Sequence, residues 1–184
     1  MANVHVRDHE LSQPTHPSNS TSNRAEPNIR PTTSKQNDTV FVVGDSMTKV
    51  LSPVKLSDFR GKVTVKSHPG GRVSTLKNTL CKGHYSSIVE SAKAIVLHVV
   101  TNNIADADTP QDISKQIKTT MSSVRNINPS VKFVISSIIS RKTDKLINSV
   151  ICQANKALKK VCSEDGHHFQ DNDSDFLVNN QPIP

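Results

Sequence analysis

A serine hydroxyl, a bare glycine amide and an asparagine side chain can together carry out acyl transfer. The hydroxyl attacks a carbonyl carbon, and the two N–H donors hold the oxygen on which charge develops. The chain offers this set in three short polar segments, Gly44-Asp45-Ser46, His68-Pro69-Gly70-Gly71 and Thr101-Asn102-Asn103. Ser46 stands where a strand turns into a helix, so its hydroxyl would be presented at a sheet edge. A helix N-terminus there would favour negative charge through its unpaired N–H groups. Gly70 lets bare backbone approach a substrate oxygen, and Asn102 supplies a neutral NH₂ donor for the same oxygen. The Gly70-Gly71 pair belongs to neither the GxGxxG nor the GxxxxGK phosphate-binding patterns. The GxSxG elbow of α/β-hydrolases is also absent.

Each polar segment follows an apolar run. Val40-Phe41-Val42-Val43 stops at Gly44, Val63-Thr64-Val65-Lys66-Ser67 stops before Pro69, and Ala94 to Val100 runs into Thr101. Val131 to Ile139 is a fourth run, rich in β-branched residues, and His168-Phe169-Gln170 a weaker fifth. Short apolar runs of this kind, bounded by turn residues, predict buried strands. Between them lie helical patterns. In Thr109–Asn128, Ile113, Ile117, Met121, Val124 and Ile127 share one face, with Thr109 as cap, Pro110 in the first turn and Pro129 as the stop. Leu146, Ile147, Val150, Ile151, Ala154, Leu158 and Val161 form a second stripe, ended by Gly166. Arg72–Leu80 reads as a weaker helix and Ser46–Leu51 as a short one. Strands without a polar face, alternating with amphipathic helices, predict an α/β fold: three layers around a parallel sheet of about five strands. Ligands of such sheets bind outside the carboxyl ends of the strands, where the three polar segments lie.

The blocks Gly44-Asp45-Ser46, Pro69-Gly70-Gly71 and Thr101-Asn102-Asn103, in this order and spacing, resemble blocks one to three of the SGNH (GDSL-type) hydrolases. The resemblance covers roughly residues 39–176 and is nearest to esterase-like domains of animal non-LTR retrotransposons and related invertebrate SGNH-domain proteins. It implies a flavodoxin-like α/β/α fold and esterase or acylhydrolase chemistry on a small ester or acetylated substrate, with no cofactor and no metal. It also implies roles. Ser46 would be the catalytic nucleophile, and the oxyanion hole would comprise the backbone N–H groups of Ser46 and Gly70 with the Asn102 side chain. Gly44, Asp45 and Asn103 would support the site, Asp45 by orienting the turn.

Two departures from that pattern bear on activity. The third block of the family is Gly-x-Asn-Asp, whereas this chain has Val100-Thr101-Asn102-Asn103, adding a branched side chain and removing a bracing carboxylate. The family's last block, Asp-x-x-His, supplies the general base. Here Asp171, Asp173 and Asp175 follow Gln170 but no His does. A serine hydroxyl at its ordinary pKa is a poor nucleophile at neutral pH without a base. The sequence therefore predicts a C-terminally truncated domain over 39–184, lacking the last loop and helix, with weak or absent hydrolysis. The remaining histidines predict structural roles: His68 beside the second strand, His98 as a satisfied core residue inside the third, His167 and His168 at the far end of the fifth, and His84 exposed.

Composition narrows the rivals. The 184 residues are 34% hydrophobic and 3% aromatic, with no Trp and one Tyr, which weighs against a base-stacking single-strand binder. Residues 1–38, neutral and Pro- and Ser-rich, cannot bury enough apolar surface to fold and read as a disordered tail. The formal charge of +7 divides unevenly: residues 39–163 hold 19 basic and seven acidic side chains, and residues 164–184 five acids and no base. That central +12 supports an alternative, a nucleic-acid-associated accessory domain of a retroelement, binding weakly through a dispersed basic surface. A flavodoxin-like phosphate binder using Ser46 and Thr48 is a further rival, disfavoured by the shortage of aromatics. No run of about 18 apolar residues predicts a membrane span, and the first 20 residues do not read as a signal peptide. Cys81, Cys152 and Cys162 form neither a disulfide framework nor a metal motif, which points to an intracellular, cytoplasmic setting.

Overall fold

The β-branched runs become five strands of one sheet, β1 (Asp38–Gly44), β2 (Gly61–Ser67), β3 (Ala92–His98), β4 (Lys132–Ser136) and β5 (His168–Gln170). The computed structural model describes residues 38–58, 61–140, 145–172, 177–178 and 181–182; the expected disordered tail lies outside them, apart from Asp38. Every strand pairing in the sheet is parallel, in the order β2-β1-β3-β4-β5. Chain order reverses between β1 and β3, so a crevice opens at their carboxyl ends. Two strands are shorter than their apolar runs: Val99–Val100 and Ser137–Ile139 leave the ladder and enter the edge loops.

Two long helices and one shorter one follow the predicted periodicity. α5 (Pro110–Arg125) begins with a capping box, in which the Thr109 hydroxyl accepts from the Asp112 N–H and the Asp112 carboxylate accepts from the Thr109 N–H. α6 (Lys145–Glu164) is followed by Gly166 at φ +67°, the left-handed stop that glycine takes most readily. α2 spans Val73–Cys81. Their buried residues form one core with Phe41, Val43, Ile95, Leu97, Phe133 and Ile135 of the strands. Each such large apolar side chain contributes about 1.5–3 kcal/mol by leaving water. Leu146 is a correction to the predicted stripe: it is 83% exposed, one position off the face that carries Ile151, Ala154 and Leu158.

Strand side chains alternate, so Val42, Val96 and His98 project from the opposite face of the sheet. There they meet a 3-10 helix, Ser46–Val50, and its following residue Leu51. A single turn, α1 (Pro53–Leu56), lies beside Val40, Val63 and Ala94. This face is the thinner one among the described residues: Val40, Val96 and Val134 are only half-buried, while Met47, Val50, Leu51, Val54 and Leu56 are exposed. α1, α3 (Ser86–Ser91) and α4 (Thr101–Ala105) were not legible as periodic patterns, being at most six residues long. Two short strands, β6 (Leu177–Val178) and β7 (Gln181–Pro182), pair antiparallel with each other.

Gly44 closes β1 against β3. Its carbonyl accepts from the His68 N–H at 2.8 Å, and the next N–H, of Asp45, donates to the His98 carbonyl at 3.0 Å. A Cβ at position 44 would overlap that carbonyl oxygen and the Thr48 methyl. Gly44→Ala is therefore expected to destabilise the domain by about 3 kcal/mol or more, because backbone must shift. Gly70→Ala, where nothing lies within 4 Å of the added carbon and only the φ of +72° is unfavourable, should cost about 1–2 kcal/mol. Urea unfolding of the two variants checks the ordering.

Candidate active site

Parallel register brings the three polar segments to one edge. Gly44 pairs with Ser67 of β2 and with His98 of β3, so the loops after these strands leave the sheet at the same level. In the loop after β2 the Gly71 N–H donates to the His68 carbonyl at 2.7 Å. Pro69 and Gly70 are the central residues, and Gly70 has φ +72°, which makes this a type II turn. Asn102, on α4, donates from Nδ2 to the Gly71 carbonyl at 2.9 Å and so ties the second block to the third. An amide NH₂ carries two protons, and the second remains for another acceptor.

Asn103 braces the loop without a carboxylate of its own. It is 1% exposed, its Oδ1 accepts from the Val73 N–H at the start of α2, and its Nδ2 donates to Asp108 Oδ2 at 2.7 Å and to Gln116 Oε1 at 3.1 Å. The carboxylate of this network is that of Asp108, five residues along the chain. Gln116 Nε2 also donates to Asp108, closing the network. Val100 has φ +121° and a fully buried side chain. Such a backbone conformation suits glycine and costs a β-branched residue of order 1–3 kcal/mol.

Ser46 opens the five-residue 3-10 helix, and its side chain is exposed. Asp45 is 1% exposed; its Oδ1 accepts from the Met47 N–H at 2.9 Å, and its carbonyl accepts from the hydroxyls of Thr48 and Ser67. Asp45 thus holds the turn, and its carboxylate occupies the helix start at which Ser46 was expected to find unpaired N–H groups. The Ser46 hydroxyl makes no hydrogen bond to any described residue.

The histidines are engaged elsewhere. His68 is half-buried against Tyr85, ring centroids 5.7 Å apart. His167 stacks edge-on to Phe133 at 5.1 Å and its Nδ1 accepts from the Phe133 N–H. His168 and His84 are exposed. His98 departs from the core residue expected inside the third strand. It is the last residue of β3, half-buried, with Nδ1 2.8 Å from Ser136 Oγ. Burial pushes its imidazole below the ordinary range, against the opposing pull of the Asp45 carboxylate. His98 and Ser136 line a cavity of about 310 Å³ with Val42, Met47, Leu51 and Asn172. Ser136 and Asn172 escaped the sequence reading; the polar pair Ser136-Ser137 lies inside the fourth apolar run, and the strand ends at Ser136. Among the described residues no three His, Cys, Asp or Glu side chains are grouped to hold a metal ion.

Solved structures with this architecture include lipases and acylhydrolases of the GDSL type. One from Streptococcus pneumonia, provisionally assigned as a platelet activating factor, superposes with a TM-score of 0.66 at 16% identity, covering 80% of this chain and 72% of its own. A provisional acylhydrolase from Bacteroides fragilis gives 0.64 at 16% identity over 80% and 74%. A member of the lipolytic G-D-S-L family from Veillonella parvula gives 0.58 at 14% identity over 79% and 89%. At these identities the likeness establishes the fold, which is that of GDSL-type lipases and acylhydrolases. No family model matches the chain, and no curated protein does.

Two substitutions test the loop. Asn103→Asp would set a second buried carboxylate against Asp108 and is expected to cost about 2 kcal/mol or more; adding Asp108→Asn should restore most of that in urea unfolding. Val43 and Val100 are both fully buried. Val100→Gly should cost about 1–3 kcal/mol less than Val43→Gly, because it also relieves the backbone at position 100. Equal costs would mean that no strain is stored there.

Proposed function

We propose that this chain is an SGNH-type acyl-transfer domain that takes a small ester or acetylated substrate, with Ser46 as nucleophile. In this reading the N–H groups of Ser46 and Gly70 and the second Nδ2 proton of Asn102 receive the developing oxyanion. The hydrogen bond from Asn102 to the Gly71 carbonyl carries the reading, because it couples the glycine turn and the asparagine at the carboxyl edge where Ser46 begins its helix. A single donor of this kind contributes about 2.7–4 kcal/mol to transition-state stabilisation in serine hydrolases. The kinship to retroelement esterase-like domains is the finer form of this reading and rests on the order of the three blocks.

Turnover at Ser46 is weak or absent in this proposal. A nucleophilic serine needs a base within hydrogen-bonding reach, worth about 10²–10⁴-fold in rate. Among the described residues no imidazole bonds to Ser46, and His68, His98 and His167 have contacts of their own.

A fluorophosphonate probe is expected to label Ser46 of this chain slowly or not at all. A version extended through an Asp-x-x-His segment should label at Ser46 faster by about 100-fold or more. An extended version that is folded yet unlabelled at Ser46 overturns the esterase reading.

A further inference from the structure

We propose that Ser136 and His98 form a second nucleophile–base pair, which accepts the acyl group of a small apolar ester seated in the cavity beneath the 3-10 helix. The inference goes beyond the Ser46 reading and does not depend on it. It begins from a hydrogen bond: among the described residues, Ser136 is the serine whose hydroxyl meets an imidazole, Oγ to His98 Nδ1 at 2.8 Å. The pair arises from strand pairing. Leu97 of β3 lies opposite Ile135 of β4, so His98 and Ser136 follow as neighbours and leave the sheet on the same face.

The hydrogen-bond directions favour proton transfer. Asn172 Nδ2 can only donate, and it lies 2.8 Å from Ser136 Oγ, so the oxygen accepts from it. The hydroxyl proton is then available to His98 Nδ1, because the competing acceptor, the Ser137 carbonyl, is farther at 3.4 Å. Asn172 is itself fixed, its backbone N–H donating to Ser137 Oγ at 2.8 Å. His98 accepts at Nδ1 as the neutral imidazole, the form its partial burial favours, with its own proton on Nε2. This places a nucleophile in hydrogen-bond contact with a base, with the hydroxyl held from behind by Asn172.

The cavity supplies the ligand chemistry. Val42, Val96, Met47, Leu51 and Ile139 make its walls apolar, while His98, Ser136, Gln170 and Asn172 gather polar groups at the strand ends. About 310 Å³ is at the low end for small-ligand pockets, which restricts the occupant to a short or branched acyl ester. In the first step the Ser136 proton passes to His98 Nδ1 as Oγ bonds to the carbonyl carbon. Collapse expels the alcohol oxygen, which takes that proton back from His98. Water then attacks acyl-Ser136, giving up a proton to the same nitrogen, and a carboxylic acid leaves with the serine restored. The Asn172 and Gln170 amides line the cavity as donors for the oxyanion.

The test uses the full chain with p-nitrophenyl butyrate and, separately, a fluorophosphonate. The two candidate serines fall in different tryptic peptides, Ser46 in 36–49 and Ser136 in 133–141, so the two readings fail independently. The expected result is a covalent adduct on peptide 133–141, assigned to Ser136 by fragmentation and lost in Ser136→Ala. His98→Gln should slow its formation by about 100-fold or more. An adduct confined to peptide 36–49, or no adduct on 133–141 in protein that circular dichroism shows to be folded, overturns the proposal. Because the mapping is done on the unaltered chain, the outcome stands even if a variant fails to fold.

Discussion

The His98 carbonyl oxygen lies where any side chain on residue 44 would have to go. That close approach is the constraint on which the carboxyl edge depends. With no Cβ at Gly44, β1 can remain in register with β2 and β3 to its last residue, and the chain can turn at once into the 3-10 helix. The Asp45 N–H then caps β3 and the Gly44 carbonyl receives the loop after β2. Three loops from distant parts of the sequence thereby start from one level at the point where strand order reverses. The Asn102–Gly71 and Asn103–Val73 hydrogen bonds lock two of them together only because they start there.

The same geometry separates a hydroxyl from a base. Ser46 follows β1 and points outward at the exposed start of a helix. His98 ends β3 on the thinner face of the sheet, one strand over from Ser136. An imidazole at a strand end is committed to that strand's face by the pleat, so its nearest hydroxyl is the cross-strand neighbour on β4. Two serines at one sheet edge thus have unequal chemistry. Ser46 follows a strand that ends level with those leading to Gly70 and Asn102, and Ser136 stands beside an imidazole and an apolar cavity.

Much of the scaffold was legible in the residues themselves. The i, i+3, i+4 stripe of α5, that of α6 apart from Leu146, the Thr109 cap and the turn residues Pro69-Gly70 have local causes, and the structure carries them. Where local signals ran short, the reading erred. α4 starts from a buried valine at positive φ, which no propensity would place there, and it takes in Asn102 and Asn103. Leu146 continues an apolar stripe in sequence yet faces solvent in space. Asn103 read as a supporting residue without its carboxylate, but its partners Asp108 and Gln116 went unread because nothing in the sequence ties them to it.

By itself the sequence determined the alternation of strands and helices, the parallel sheet and the three polar segments at its strand ends. These follow from residue type and periodicity, which act over a few positions. Only the tertiary structure decided which groups meet. That His98 bonds to Ser136, that Asn172 reaches back across 36 residues to the same hydroxyl, and that a cavity opens over them depend on the register of β3 against β4 and on a face few helices cover. Register is set by the packing of the whole core, so it cannot be read from any one segment. For that reason the sequence pointed to the serine of the first block, and the fold revealed a second serine already paired with a base.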